Sequence, residues 1–461
     1  MKNILFILSD QQRADTLGCY GQKLPVSPNI DQLAREGVKF EYAFTPQPVC
    51  GPARACLQTG MYATQLGCYI NGRGLDPAQD TMAKQLKKAG YETAYVGKWH
   101  LAIDRPQGLV YATQPAPLER CGGYDDYLAM CDTLETTSHG YNGYVFDKDG
   151  NKMEFIGYRP DCLTDYAIDY IHNKDNDKPF LLFVSYLEPH QQNDHGCFEG
   201  PDGSKERFKD YTVPQDLLNS KYEGDWKQNY PDYLGACNSL DYNVGRLVDT
   251  LKEKGIYEDT IIIYTSDHGC HFRTQEGEYK RQCFDSCLRV PLIISGGDFC
   301  GGRTYTELVS LINLAPTVLE CAGVAVPDYM TEPSLQHLLH DDVEWDNCVF
   351  YQISETELAR GIRTKRYKYC VHAPHVQELL RMDLKYSVEQ YQAMLKKSRF
   401  NSDSYVDQYL FDLVKDPHEK LNLVNDPAYE EVLVQLRQLL KAKMAHAGEA
   451  EPVIYPADHQ F

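Results

Sequence analysis

No stretch of the 461-residue chain approaches ~20 consecutive apolar residues, so no membrane-spanning helix is expected. Basic residues are in deficit: 46 Lys plus Arg face 66 Asp plus Glu, a formal net charge of −20. That balance excludes general nucleic-acid binding and adhesion to anionic membranes, which need a basic face. It leaves room for a small anionic substrate, because one basic pocket fits inside an acidic protein. There is no C-x-x-C pair among the 16 Cys, and a chain of this size needs no disulfide staples. Most thiols are therefore expected to be reduced and buried. The run Ile4–Leu8 is too short for the apolar core of a secretory leader, so a cytoplasmic location is expected. There is no internal repeat. Hydrophobic and charged fractions of 43% and 24% exclude a disordered, collagen-like or coiled-coil chain.

Short apolar runs alternate with helical patterns. Strands are expected at Lys2–Leu8, Tyr91–Val96, Phe180–Leu187, Thr260–Thr265 and Val290–Ser295. Between them, Pro28–Glu36, Thr81–Ala89, Asp161–His172, Tyr233–Glu253 and Leu314–Cys321 read as helices. The helix at Tyr233–Glu253 carries Leu240, Val244, Leu247 and Leu251 at helical spacing. Apolar strands without alternation, separated by helices, predict an α/β fold: a large, mostly parallel sheet sandwiched by helices. Ligands bind such sheets beyond the carboxyl ends of the strands, and Asp10, Lys98, Glu188 and Asp267 each follow a predicted strand. Long loops are expected at 104–160 and 190–230. After about residue 340 the pattern changes. Strands at Cys348–Ile353, Gly361–Val371 and Tyr405–Leu413 and a helix at Tyr429–Ala445 predict a smaller α+β subdomain with an antiparallel sheet. The expected division is 1–340 and 341–461.

Six ordered segments stand out. They are Ser9-Asp10-Gln11-Gln12, Cys50-Gly51-Pro52-Ala53-Arg54, Gly97-Lys98-Trp99-His100-Leu101, Glu188-Pro189-His190, Ser266-Asp267-His268-Gly269, and Leu410-Phe411-Asp412-Leu413 with Asp416-Pro417-His418-Glu419. Lys280 precedes Arg289-Val290-Pro291. Together they resemble the type I sulfatases of the alkaline phosphatase superfamily, whose signature is C-x-P-x-R. Three departures stand out. Gln11 replaces a common second acid, Gln58 a common apolar residue, and Gln191 a proline after the P-H pair.

The resemblance implies that Cys50 is oxidised to formylglycine by a formylglycine-generating or radical maturation enzyme. A hydrated aldehyde carries two hydroxyls on one carbon, one to attack sulfur and one to expel sulfate afterwards, which splits a hard step into two. Asp10, Gln11, Asp267 and His268, with the Cys50 side chain, are the implied metal ligands. Two carboxylates and an amide oxygen suit a hard cation, and the family points to Ca2+. His268 and the missing charge at Gln11 keep Mn2+, Mg2+ and Zn2+ as alternatives. Arg54, Lys98 and Lys280 are assigned to the nucleophile and the sulfate, and His100 and His190 to proton transfer. Asn71 and His195 are candidate substrate contacts.

The expected activity is hydrolysis of a sulfate monoester, a small sulfated saccharide by the family's habit. A homo-oligomer is left open. Two rivals stand beside it. One is a phosphonate monoester or phosphodiester hydrolase of the same superfamily, against which Lys98 and His100 argue. The other is a non-catalytic binder of sulfated ligands, if Cys50 stays a thiol.

Overall fold

The computed structural model describes residues 1–174, 177–340, 343–374, 376, 389 and 400–459. Strand β1 (Asn3–Asp10) shows why the polarity does not alternate. Ile4, Phe6 and Leu8 pack on one face of the sheet and Leu5 and Ile7 on the other, all fully buried. Both faces are covered, so the run is continuously apolar. Each such side chain contributes about 1.5–3 kcal/mol by leaving water.

Among the described residues the large sheet has 12 strands. After β1 come β2 (Val38–Phe44), β3 (Glu92–Lys98), β4 (Tyr127–Cys131), β5 (Ser138–His139), β6 (Asn142–Phe146) and β7 (Lys152–Ile156). Then follow β8 (Phe180–Pro189), β9 (Thr260–Ser266), β10 (Arg289–Val290), β11 (Leu292–Ser295) and β12 (Arg303–Ser310). At the centre β9, β1, β8, β3 and β4 lie side by side and parallel. Antiparallel pairs extend the sheet outward, β11 on β9 and the β6–β7 hairpin beyond β4. Helices Pro28–Glu36, Arg159–Asn173 and Trp226–Glu253 cover the face of Leu5 and Ile7. Helices Cys50–Thr59, Met82–Lys88 and Leu314–Cys321 cover the opposite face. The parallel strands all end at one rim, which gathers Asp10, Lys98, Asp132, Pro189 and Asp267.

A second sheet, of five strands among the described residues, follows in chain order: β13 (Cys348–Ile353), β14 (Ala359–Thr364), β15 (Tyr367–His372), β16 (Ser404–Asp412) and β17 (Val453–Tyr455). The first four are antiparallel and β17 runs parallel to β16. One face packs on helix Glu430–His446 through Leu433, Leu436, Leu440 and Met444. The other packs on Phe44, Phe284, Leu288 and Leu308 of the first unit. Residues 341–342, at the expected division, lie outside the described residues.

Several expectations need correction. Gly361–Val371 is not one strand but the hairpin β14–β15. Its turn at Lys365-Arg366 is closed by Thr364, whose hydroxyl accepts the Tyr367 N–H at 2.9 Å. The expected loop 104–160 holds β4 and the β6–β7 hairpin. There Asp147 accepts the N–H groups of Asp149 and Asn151 at 2.9 and 2.8 Å and so shapes the turn. The long helix starts at Trp226, seven residues earlier than expected, with Pro231 inside it. Trp226, Tyr230, Tyr233 and Leu234 form an aromatic-rich cluster with Phe198, Phe208 and Phe272, and that packing sets the helix start. Strands β2 and β12 had no expectation. No described helix is long and apolar enough to cross a membrane.

Candidate active site

Cys50 opens the helix Cys50–Thr59, which is buried along its whole length. A helix amino terminus favours negative charge. The position is fixed by Asn71, whose Oδ1 accepts the Gly51 N–H at 3.0 Å. Around Cys50 Sγ lie Lys280 Nζ at 2.9 Å, His268 Nε2 at 3.2 Å and Asp10 Oδ1 at 3.5 Å. His100 and His190 also lie close enough to influence this side chain. Burial on its own pushes the thiol up, but Lys280, Lys98 and His268 outweigh it and hold Cys50 well below the ordinary thiol range.

The carboxylates come from adjacent strand ends. Asp10 closes β1 and Asp267 follows β9, and both are fully buried. His268 Nε2 lies 3.6 Å from Asp10 Oδ1 and 3.6 Å from Asp267 Oδ1. Asp10, Cys50, Asp267 and His268 each offer one ligand atom, all within 4.8 Å of one another. Gln11 stands beside them with a φ of 67°, and its N–H donates to Asp267 Oδ1 at 3.1 Å. Gln11 Oε1 lies 3.4 Å from Lys280 Nζ. Two buried carboxylates, an amide oxygen, an imidazole nitrogen and a thiol form a donor set that fits a divalent cation.

Positive charge balances this cluster. Burial raises the Asp10 carboxyl, but Lys98, His190 and Lys280 together hold it well below the carboxylate range. Asp267 goes the other way, pushed up by burial and then by Asp10. Lys98 Nζ sits 2.8 Å from Asp10 Oδ2 and 3.3 Å from Glu135 Oε2. Burial opposes its charge, yet Asp10 and Glu135 keep the ammonium above its ordinary range. Burial and then Lys280, whose Nζ is 3.0 Å from His190 Nε2, pull His190 down and favour neutral imidazole.

The strand ends that carry these groups are held tightly. Gly97 has a φ of 101°, and a Cβ there would meet Ser185 O at 1.9 Å, so only glycine lets β3 pass β8 before Lys98. His100 has a φ of 62°. Its loop is fixed by Asp132, whose two oxygens accept the N–H groups of Ala102 and Ile103 at 2.9 and 3.0 Å.

Three residues sit differently from the sequence expectation. Arg54 donates to Asp10 Oδ2 and Asp267 Oδ2, each at 3.2 Å, to Lys98 O at 2.9 Å and to Ser185 Oγ at 2.6 Å. It therefore clamps the two carboxylates from below and does not reach back to Cys50. His195 is exposed and pairs with Glu199 Oε1 at 2.5 Å, away from the cluster. Glu188, although it follows the same rim, is taken by Arg159 Nε at 2.8 Å. Glu135, Asp132 and Ser185 are site residues that sequence reasoning missed. Glu135 follows β4, a strand hidden in a Tyr- and Asp-rich run. Glu355 was missed as well; it accepts the Asn71 N–H and pairs with Arg281 Nε at 2.6 Å.

Comparison with known proteins is consistent across the chain. A family profile described as Sulfatase matches residues 2–324. One described as N-sulphoglucosamine sulphohydrolase, C-terminal, matches residues 277–404. An N-acetylglucosamine-6-O-sulfatase of Bacteroides thetaiotaomicron is 26% identical, over 100% of this chain and 90% of its own length. Two solved structures share the fold. One holds its substrate D-glucosamine-2-N,6-O-disulfate (24% identity, TM-score 0.75, 98% of this chain and 99% of that one). The other is a phosphonate monoester hydrolase of Agrobacterium radiobacter (22% identity, TM-score 0.72, 97% of this chain and 96% of that one).

Proposed function

The chain belongs to the sulfatase family and is a sulfuric ester hydrolase, and from that premise we propose that it cleaves a small sulfated carbohydrate with a formylglycine made from Cys50. The carrying observation is the surround of Cys50 Sγ: a buried helix amino terminus, Lys280 at 2.9 Å, His268 at 3.2 Å and Asp10 at 3.5 Å. The name of the sugar sulfatase similar to this chain supports the substrate class.

Asp10, Gln11, Asp267, His268 and the side chain at position 50 would hold a divalent cation, Ca2+ first and Mn2+, Mg2+ or Zn2+ as alternatives, which supplies charge neutralisation of the sulfate and orientation of the nucleophile. The modified residue supplies a hydrated aldehyde, formed by a formylglycine-generating or radical maturation enzyme as partner. The remaining work falls to the chain's own side chains. Arg54, spanning both carboxylates, keeps them apart and aimed at the same point. Lys280, at the Cys50 side chain, and Lys98, on Asp10, stabilise charge on sulfate oxygens. His100 is placed to take a proton from the side chain at position 50. His190, touching Lys280, is placed to shuttle a proton to the departing alcohol. Residues 1–340 would carry this chemistry, with 341–461 as the smaller subdomain.

The phosphonate monoester reading shares this fold, so the fold alone does not separate the two. Lys98 and His100 favour a sulfate monoester, whose transition state gains from added positive charge.

Two experiments test the proposal. Mass spectrometry of the Cys50 peptide is expected to show a loss of ~18 Da, as conversion of thiol to aldehyde requires. The matured enzyme is then compared on sulfated mono- and disaccharides and on a phenylphosphonate ester, with Cys50→Ala as control. Sugar desulfation should dominate and fall roughly 10³-fold or more in the variant. Chelation should abolish it, and re-addition of each cation ranks the metals. Turnover that survives Cys50→Ala, or a preference for the phosphonate ester, overturns the reading.

A further inference from the structure

A second group of ligand-type side chains lies at the protein surface. His139, at the end of β5, stacks on His195 with ring centroids 4.5 Å apart and planes 14° from parallel. His139 Nε2 is 2.8 Å from Asp194 Oδ2. His139, Asp194 and His195 each offer one ligand atom, all within 4.8 Å of one another. Tetrahedral Zn2+ with bonds of ~2.0–2.1 Å needs ligand atoms about 3.3 Å apart, so modest side-chain motion closes the set.

What lifts this above a chance surface grouping is its support. His195 Nδ1 is 2.5 Å from Glu199 Oε1, which leaves Nε2 as the ligand atom. A carboxylate on the far nitrogen fixes the tautomer and raises ligand basicity, the usual backing of a metal-bound histidine. Glu199 is itself held, because its Oε2 accepts the Gly140 N–H at 2.7 Å. Asp194 is oriented in the same way. Its Oδ1 accepts from the buried Gln192 amide at 2.8 Å, turning Oδ2 toward His139. Gln192 is anchored in turn by donation to Glu135 O at 2.9 Å. Three ligands therefore come with two supporting contacts already formed. Their side chains are 42%, 58% and 48% exposed, so a cation enters directly from solvent.

We propose that His139, Asp194 and His195, backed by Glu199, bind a borderline-soft divalent cation of the Zn2+ type, at a site separate from the Cys50 cluster. Two imidazoles and one carboxylate suit Zn2+ and disfavour Ca2+. Solvent completes the coordination, so the site is open. The ion would pin the segment His190–Glu199, which begins with an active-site histidine, to strand β5. Its effect is a rim that is stiffer with the metal than without it.

The test uses full-length protein stripped with chelator, then saturated with Ca2+ to occupy the hard-donor site and titrated with micromolar Zn2+. The parent is expected to retain one Zn2+ equivalent that Ca2+ does not displace and to melt higher with Zn2+. His139→Ala and His195→Ala should each lose that equivalent, with unchanged circular dichroism and unchanged melting in chelator. Glu199→Gln should keep the site but weaken it about 10- to 100-fold. Substituting Co2+ should give ligand-field bands without thiolate charge transfer. Retention of the equivalent in either histidine variant, thiolate character in the Co2+ spectrum, or no equivalent in the parent overturns the proposal.

Discussion

Two clusters of buried charge differ in how they close. Beneath the second sheet, Lys368 contacts both Asp285 and Glu419. Glu419 Oε2 also accepts the Asp285 N–H at 2.7 Å. Each of these charges ends on another. At the rim, Arg54 pairs with Asp10 and Asp267 and Lys98 pairs with Asp10, while Lys280 meets the Cys50 thiol and the two carboxylates face a shared point. Fully closed charge holds parts together. Charge left turned toward a common centre is held ready for a ligand, and folding pays for that readiness.

The largest expected effect is a crossed pair of substitutions that splits the two clusters. Asp267→Asn at the rim should lower kcat/KM by roughly 10²–10³-fold. Melted in chelator, the same variant should be as stable as the parent or more so, because burial and Asp10 already disfavour the Asp267 charge. Lys368→Ala beneath the second sheet should do the reverse. It leaves two carboxylates buried without their cation, at a cost of about 3–5 kcal/mol. Activity per folded molecule should stay within a few-fold of the parent. If Asp267→Asn unfolds the protein while Lys368→Ala silences a folded one, the contrast fails.

Glu355 joins the two regions and should behave between them. It lies in the turn between β13 and β14, pairs with Arg281 next to Lys280, and holds the Asn71 backbone. Asn71 in turn fixes the Gly51 N–H beside Cys50. Glu355→Gln keeps the shape and removes the charge. A fall in kcat of about 10-fold is expected with KM little changed, since the fault is in aim. A change confined to KM would place Glu355 in substrate binding instead.

The sequence made the rim legible for a physical reason. Asp10, Lys98 and Asp267 each end an apolar strand, and a parallel sheet brings such ends to one edge. Cys50 was visible through the Cys50-Gly51-Pro52-Ala53-Arg54 run and its resemblance to the C-x-P-x-R signature. What Arg54 touches was not visible, because the depth of a buried helix cannot be read from spacing. Glu135 and Glu355 depend on β4 and on the β13–β14 turn, whose place beside the rim comes from tertiary packing alone. The Asp416-Pro417-His418-Glu419 segment, which carried only the family resemblance, is structural: Glu419 closes the Lys368 cluster, and Asp416 Oδ2 accepts the Leu421 N–H at 2.7 Å. A motif shared with a family therefore marks a fold joint as readily as a reacting group.

The smallest effect concerns Glu276, a partly buried acid influenced by both Arg281 and Glu357. Burial first, then the charges of Glu357 and Glu278, raise its carboxyl from 4.5 to about 8, against a hydrogen bond with Gln282 and the pull of Arg281. The sign follows from proton counting. Between pH 4.5 and about 8 the folded chain holds a proton here that the unfolded chain has released, so stability drains away as pH rises through that window. Glu276→Gln removes the titration and keeps a neutral hydrogen-bonding side chain. Its melting temperature relative to the parent should therefore climb between pH 5 and pH 9, by on the order of a few °C, and level off above the folded value. A difference independent of pH would mean that the carboxyl is already ionised in the folded protein, and that the boundary between the two clusters tolerates charge as readily as the rim does.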